Sequence, residues 1–298
     1  MDNVRYSSEL LLNKFEELDL YIDPEMKAVW LYFNSKPRSC YTIKLLSELD
    51  KFQNILRHHD GKLACNGTSV EIDYCVITSN HPVFSFGGDL EYFISCIESG
   101  DRAALRHYAK LCIDAVYYSY IGREFDITTI SLIHGNALGG GFEAALSSQV
   151  VIAEESAEMG FPEVLFNLFP GMGAYNLLTQ RVSPKTAEKL MLSGNLYRAS
   201  ELEDIGVIDQ VVEDGDGVDA VNAFMRSNRK RLNTLKCLRK TRQISSPINY
   251  QDLIDIGEIW VEAAFEISDK DLRTMSRLVR SQKKHSIRSN QIINSVSA

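Results

Sequence analysis

An α/β fold is predicted for this chain by three features of its 298 residues. Short runs rich in β-branched and aromatic residues alternate with longer amphipathic stretches. Glycine clusters fall where a strand pattern gives way to a helical one. Past residue 215 the strand patterns stop and helical ones continue. In order, Ala28-Val29-Trp30-Leu31-Tyr32-Phe33 is a β-rich apolar run, and residues 42–56 form an amphipathic helical stretch. Residues 73–78 read as the next strand, followed by Gly87-Gly88 and a helix from Asp89. Leu105, Tyr108, Cys112 and Ala115 recur at three- and four-residue spacing, which predicts a helix over 102–124. Strands follow at 127–134 and 150–154, and helices at 174–181, 184–192 and 199–205, each bounded by proline, serine or glycine. The length suits one large domain with a helical appendage. A core over 1–215 is expected, with a boundary at Gly215-Asp216-Gly217 and a helical region over 216–298. The tail from about 281 is polar and basic and is expected to be disordered.

Composition agrees with a soluble globular protein. Hydrophobic residues make up 45% and charged residues 24%, both ordinary for a packed domain. No apolar run reaches the length of a membrane span, and Met1-Asp2-Asn3-Val4-Arg5 lacks the basic-then-apolar start of a secretion signal. A cytoplasmic location is therefore expected. The six cysteines are scattered without zinc or redox spacing, so buried free thiols are expected, and the six histidines form no ligand cluster. Neither a metal nor a cofactor is expected.

The chemistry is concentrated around Gly139-Gly140-Gly141-Phe142-Glu143 and Phe161-Pro162-Glu163. A strand runs into Gly135-Asn136-Ala137-Leu138 and then into three glycines that open a helix, with Glu143 on its first turn. Glycine there lets the backbone approach a ligand, and the N–H groups sit at the positive end of the helix dipole. Such a turn favours negative charge developing on an oxygen, while two nearby carboxylates can move protons on neighbouring atoms. The glycine spacing is not G-x-G-x-x-G, and no Walker loop occurs, which excludes the common nucleotide-binding turns. Glu143 is embedded in an apolar helix, and a buried carboxylate is costly unless paired or used.

These residues resemble the crotonase (enoyl-CoA hydratase/isomerase) superfamily. The resemblance rests on Gly135 through Glu143, on Met159-Gly160-Phe161-Pro162-Glu163-Val164, and on Phe169-Pro170-Gly171-Met172-Gly173-Ala174. It continues through Leu192-Ser193-Gly194-Asn195-Leu196-Tyr197 and Gly206-Val207-Ile208-Asp209-Gln210-Val211-Val212. Upstream, Val83-Phe84-Ser85-Phe86-Gly87-Gly88-Asp89-Leu90 is similar to the family's first oxyanion loop. Within the superfamily the chain looks most like the diffusible-signal-factor synthases, bacterial enzymes that make cis-2-unsaturated fatty-acid signals. Phe169 through Tyr175, Glu258-Ile259-Trp260-Val261 and Leu272 through Arg280 carry that narrower likeness.

The resemblance implies a spiral of ββα units with a C-terminal helical region, assembled as a homotrimer. It maps the two backbone N–H groups that hold a thioester oxygen to Gly88 and Gly140, and the acid/base pair to Glu143 and Glu163. The implied activity is dehydration of a 3-hydroxyacyl chain on acyl carrier protein, followed by thioester hydrolysis to free cis-2-enoic acid for quorum sensing. In that scheme Glu163 takes the α proton and Glu143 protonates the departing hydroxyl, although sequence leaves open which glutamate faces which carbon. The alternative is an enoyl-CoA hydratase of fatty-acid degradation. A receiver domain of a sensor kinase is a further implied partner. Leu138, Phe142, Met172 and Trp260 match apolar positions of the subfamily and would line an acyl tunnel or else serve ordinary core packing.

One charge feature bears on partners. The chain carries a net charge of −8, yet no acidic residue occurs between Val221 and Tyr250, where Arg226, Arg229, Lys230, Arg231, Lys236, Arg239, Lys240 and Arg242 cluster. An acidic carrier protein needs a local basic surface, and this run is the expected one. Nucleic acid is disfavoured by the acidic whole and the lack of interleaved aromatics.

Overall fold

Residues 15–296 are described by the computed structural model, with side chains through residue 284. Strands β1 (Leu18–Asp23), β2 (Ala28–Phe33), β5 (Tyr74–Ser79), β6 (Thr128–Ile133), β8 (Val150–Glu154) and β11 (Gln210–Val212) form one sheet in the order β1-β2-β5-β6-β8-β11. Only the β1–β2 pair is antiparallel, and each later strand adds in parallel beside its predecessor. Every residue of β5 and β6 is buried, as parallel strands covered on both faces require. Hairpin β3 (Lys62–Cys65) with β4 (Thr68–Glu71), and a small sheet of β7 (Ala137–Leu138), β9 (Glu158–Gly160) and β10 (Leu196–Arg198), complete the strands.

Helices α1 (Ile43–His58), α2 (Leu90–Ser99) and α3 (Arg102–Tyr120) pack with the large core on one side of the main sheet. Their starts follow from capping. Thr42, Asp89 and Asp101 each accept hydrogen bonds from backbone N–H groups of the first turn. Helix α3 stops at Tyr120, short of the predicted 124, because Gly122, Arg123, Glu124 and Asp126 all take positive φ in the turn into β6. Short helices α4 (Gly140–Leu146), α5 (Ala174–Thr179), α6 (Pro184–Ser193) and α7 (Ala199–Asp204) follow, with a 3-10 turn at Pro162–Phe166.

The helices after residue 216 are packed onto the same body. Helix α8 (Gly217–Asn228) buries Val221 and Met225 against Trp30, Val76, Ile130 and Ile152 on the other face of the sheet. Helix α9 (Leu232–Ser245) is tied to the sheet by ion pairs, α10 (Tyr250–Phe265) packs along α3, and α11 (Asp269–Val296) crosses both α2 and the 3-10 turn. The disordered tail expected from 281 is corrected for residues 281–284. They continue α11, and Gln282 accepts from Arg38 Nη1 at 3.1 Å while Lys283 pairs with Glu91. Four of the six cysteines are buried free thiols, Cys112 is half-buried and Cys237 is exposed. Among the described residues no helix is long and apolar enough to cross a membrane.

Candidate active site

Two glycine-containing loops meet at the C-terminal ends of β5 and β6. Ser85 links them: its N–H donates to Asn136 O at 3.1 Å, and its carbonyl accepts from Leu138 N at 2.9 Å. Gly87 has φ +92°, and a Cβ there would stand 2.6 Å from Leu138 O and 3.1 Å from Gly140 N, so only glycine permits this approach. The Gly87 carbonyl accepts from Tyr41 N at 2.9 Å. Across a trans peptide, that aims the Gly88 N–H the opposite way. The Gly139 carbonyl likewise accepts from Phe142 and Glu143 within α4, which turns the Gly140 N–H outward from the helix start. Neither N–H has a partner among the described residues. A Cβ built on Gly140 would lie 3.4 Å from Gly88 N, so the two donors are neighbours.

Helix α4 carries Glu143 on its first turn, and only 2% of that residue is exposed. Its Oε1 accepts two backbone hydrogen bonds, from Met172 N at 2.8 Å and Ala174 N at 3.0 Å. Gly173, at φ +116°, turns the chain between these donors so that both reach one oxygen. The neighbouring Gly171 lies against the Trp260 indole, where a Cβ would stand 2.5 Å from Cδ1. The segment Phe169 through Ala174 is therefore the clamp on Glu143, braced from behind by α10.

Glu163 enters from the 3-10 turn that Pro162 opens. It lies against the Gly139 backbone, where any Cβ would overlap Oε1. Glu163 as a whole is half-buried, but its Oε2 is sealed from solvent and has no hydrogen-bond partner among the described residues. Burial raises Glu163 from an ordinary 4.5 to about 8, helped by the charge of Glu143. Burial also raises Glu143, to about 7, against the lowering effect of the Ala174 and Met172 N–H groups. Charging both carboxyls together is unfavourable, so near neutrality the pair holds at least one proton.

Both glutamates, Gly88 and Gly140 line one cavity of about 210 Å³. Leu138, Met172 and Trp260 line it too, together with Leu90, Phe93 and Val116. Phe142 does not. It is 1% exposed and packs on Phe161 at 5.1 Å between ring centroids, so its expected place in an acyl tunnel is corrected to the core behind Glu143.

Several contributors were not visible in the sequence. Tyr108, read there only as an apolar helix position, donates its hydroxyl hydrogen to Tyr41 O and accepts from Asp89 N at 3.0 Å. It thereby fixes the peptide after Gly88. Phe93 backs Gly88 and meets Trp260 edge-on at 5.1 Å. Leu278, Ser281 and Gln282 of α11 reach the cavity as well. No local pattern announced any of these, because each acts through a partner distant in sequence.

The basic run over 226–242, expected to face a carrier, lies away from this cavity. Lys236 pairs with Asp73, and Arg239 and Lys240 pair with Asp126, at the N-terminal ends of β5 and β6. Tyr108 marks the site, and Gly122 packs on the Arg239 guanidinium. Along α3, at roughly 1.5 Å per residue, those points are about 20 Å apart.

A parallel-sheet spiral with paired backbone donors facing paired buried carboxyls defines an α/β protein suited to acyl-oxygen polarisation and proton transfer. The chain belongs to the enoyl-CoA hydratase/isomerase family, within the crotonase superfamily, and the family pattern matches residues 66–251. It is 31% identical over 154 residues to 2,3-dehydroadipyl-CoA hydratase of Escherichia coli K12, covering 50% of this chain and 55% of that protein. A probable enoyl-CoA hydratase of Mycobacterium leprae is 30% identical over 144 residues, covering 48% and 52%. The chain spans about half the length of these curated relatives. Among solved structures, an enoyl-CoA hydratase from Bacillus halodurans superposes with TM-score 0.73 at 19% identity, over 87% of this chain and 98% of that one. Pseudomonas aeruginosa DspI does so with TM-score 0.65 at 25% identity, over 78% and 83%. The spiral fold expected from the sequence is thus the fold of this chain.

Proposed function

We propose that this chain moves water across the α–β bond of an acyl thioester. The observation that carries the reading is the convergence on one mainly apolar cavity of two buried glutamate carboxyls and two backbone N–H groups with no partner among the described residues. Gly88 and Gly140 hold the thioester oxygen and favour its enolate-like charge, an effect for which one lost donor typically costs about 3 kcal/mol. One proton is shared by the pair. With it on Glu143, Glu163 takes the α proton while Glu143 protonates the leaving 3-hydroxyl. With it on Glu163, the same groups run the addition of water. Replacing Glu143 or Glu163 with glutamine is expected to lower turnover by about 10²- to 10⁴-fold. Retained turnover in both variants, followed as change in the conjugated thioester absorbance, would refute the assignment.

Within that chemistry the proposed activity is that of a diffusible-signal-factor synthase. It dehydrates 3-hydroxyacyl-[acyl carrier protein] and then hydrolyses the thioester with a glutamate-activated water. Support comes from the clamp, since Phe169 through Tyr175, the stretch most like those synthases, supplies both N–H donors to Glu143. The reading brings with it a cytoplasmic homotrimer and a receiver domain as regulatory partner, to be checked by light scattering and pull-down. A hydratase acting on enoyl-CoA is favoured by a different observation. The curated relatives at 31% and 30% identity are a 2,3-dehydroadipyl-CoA hydratase and a probable enoyl-CoA hydratase, and both glutamates and both N–H donors serve water addition equally well. Incubation with 3-hydroxyacyl carrier protein and with enoyl-CoA separates the two, scored as free unsaturated acid against hydrated thioester.

A further inference from the structure

We infer that the outward face of α11 is the docking surface for an acidic carrier protein that delivers the acyl thioester, an inference that rests on the acyl-thioester reading above. Arg273, Arg277, Arg280 and Lys284 are spaced i, i+4, i+7 and i+11, which places them in one stripe along the helix. All four are exposed, and none has an ion-pair partner among the described residues. The opposite face is the anchored one. Met275 and Val279 are buried, and Gln282 accepts from the buried Arg38, which also pairs with Asp89 at 2.6 Å and Glu91 at 2.9 Å. The stripe is thereby held rigidly above the loop that presents Gly88, whose next residue is Asp89.

Ser281 locates the mouth, because it is exposed and also lines the cavity of the two glutamates. Arg277 stands four residues before it and Lys284 three after, one helical turn to either side. A negatively charged partner seated on the stripe would have its thioester arm at the opening. The chain is acidic overall, at −8, so four cations with no ion-pair partner among the described residues, set along the helix that reaches the cavity, form a local field suited to an acidic protein surface. The run at Arg229-Lys230-Arg231 is equally exposed but is flanked by Met225 and Leu232, which pack on the face of the main sheet away from the cavity.

The test is a triple charge reversal, Arg277→Glu, Arg280→Glu and Lys284→Glu, with the glutamine triple variant as a folding control. An acidic acyl carrier protein bearing a 3-hydroxyoctanoyl chain, the matching CoA thioester and the matching N-acetylcysteamine thioester serve as substrates. Binding of the carrier protein is measured separately by fluorescence anisotropy. Reversal is expected to raise KM and Kd for the carrier by about ten-fold or more, leave the N-acetylcysteamine ester unchanged, and show a weaker salt dependence than wild type. Reversing Arg229, Lys230 and Arg231 is expected to change none of these. Unchanged carrier binding, or equal loss on the small thioester, would overturn the inference. Equal loss on CoA and carrier substrates would also overturn it, assigning the stripe to CoA phosphates. If wild type turns over no thioester, the chemical reading fails, while anisotropy still decides the docking surface.

Discussion

Replacing Glu163 by glutamine should stabilise the protein at alkaline pH while lowering its turnover by about 10²- to 10⁴-fold. The folded carboxyl titrates near 8 and the unfolded one near 4.5, so between those values the folded state holds more protons than the unfolded state. Stability supplied by the protonated form is complete below 4.5 and is lost as pH rises through about 8. The difference corresponds to roughly 5 kcal/mol when Glu163 is ionised in both states. Water entry into the opened site lowers that cost, and a gain of about 2 kcal/mol or more for Glu163→Gln near pH 9 is expected. Near pH 4 the two proteins should differ little, because the wild-type carboxyl is then protonated whether folded or not. Glu143→Gln should give a smaller gain, since the Met172 and Ala174 N–H groups already stabilise the charged Glu143 carboxylate. Urea denaturation at several pH values measures the slope directly. An equal gain at pH 4 and pH 9 would make the effect one of packing, and an unchanged slope would refute the burial of this charge.

Three further outcomes are expected. Gly139→Ala should cost at least 10²-fold in turnover, because φ is +53° and its Cβ would displace the Glu163 carboxylate, while Gly67→Ala, in open space, should leave turnover intact. Tyr108→Phe removes the bridge between Tyr41 O and Asp89 N and should cost about 1–3 kcal/mol in urea titrations, with a drop in kcat as the Gly88 amide loosens. Trp260→Ala should destabilise by about 3–5 kcal/mol and extend the accepted acyl chain, read by competition between chain lengths; unchanged length preference would leave Trp260 as a brace alone.

What could be read from residue order was whatever is encoded over a few neighbours. The strands of alternating or continuous apolar residues, the capped helices and the glycine turns are local, and the main elements fall within a few residues of their predicted bounds. Glu143 and Glu163 drew notice because glycine, proline and an acid in an apolar helix each restrict what the backbone or solvent will tolerate nearby, whereas the pairing of Gly88 with Gly140 came from the family resemblance. Tertiary structure decided what depends on distance. It turned Phe142 onto Phe161 and away from the cavity, set Trp260 behind Gly171 and so behind Glu143, and made α8 a cover for the sheet. It also spent Lys236, Arg239 and Lys240 on Asp73 and Asp126, far from the site, and raised the α11 stripe over the mouth instead. Charge and apolarity along a chain do not specify which partner a side chain will meet, and electrostatic interaction and burial act only between groups that the fold has brought together.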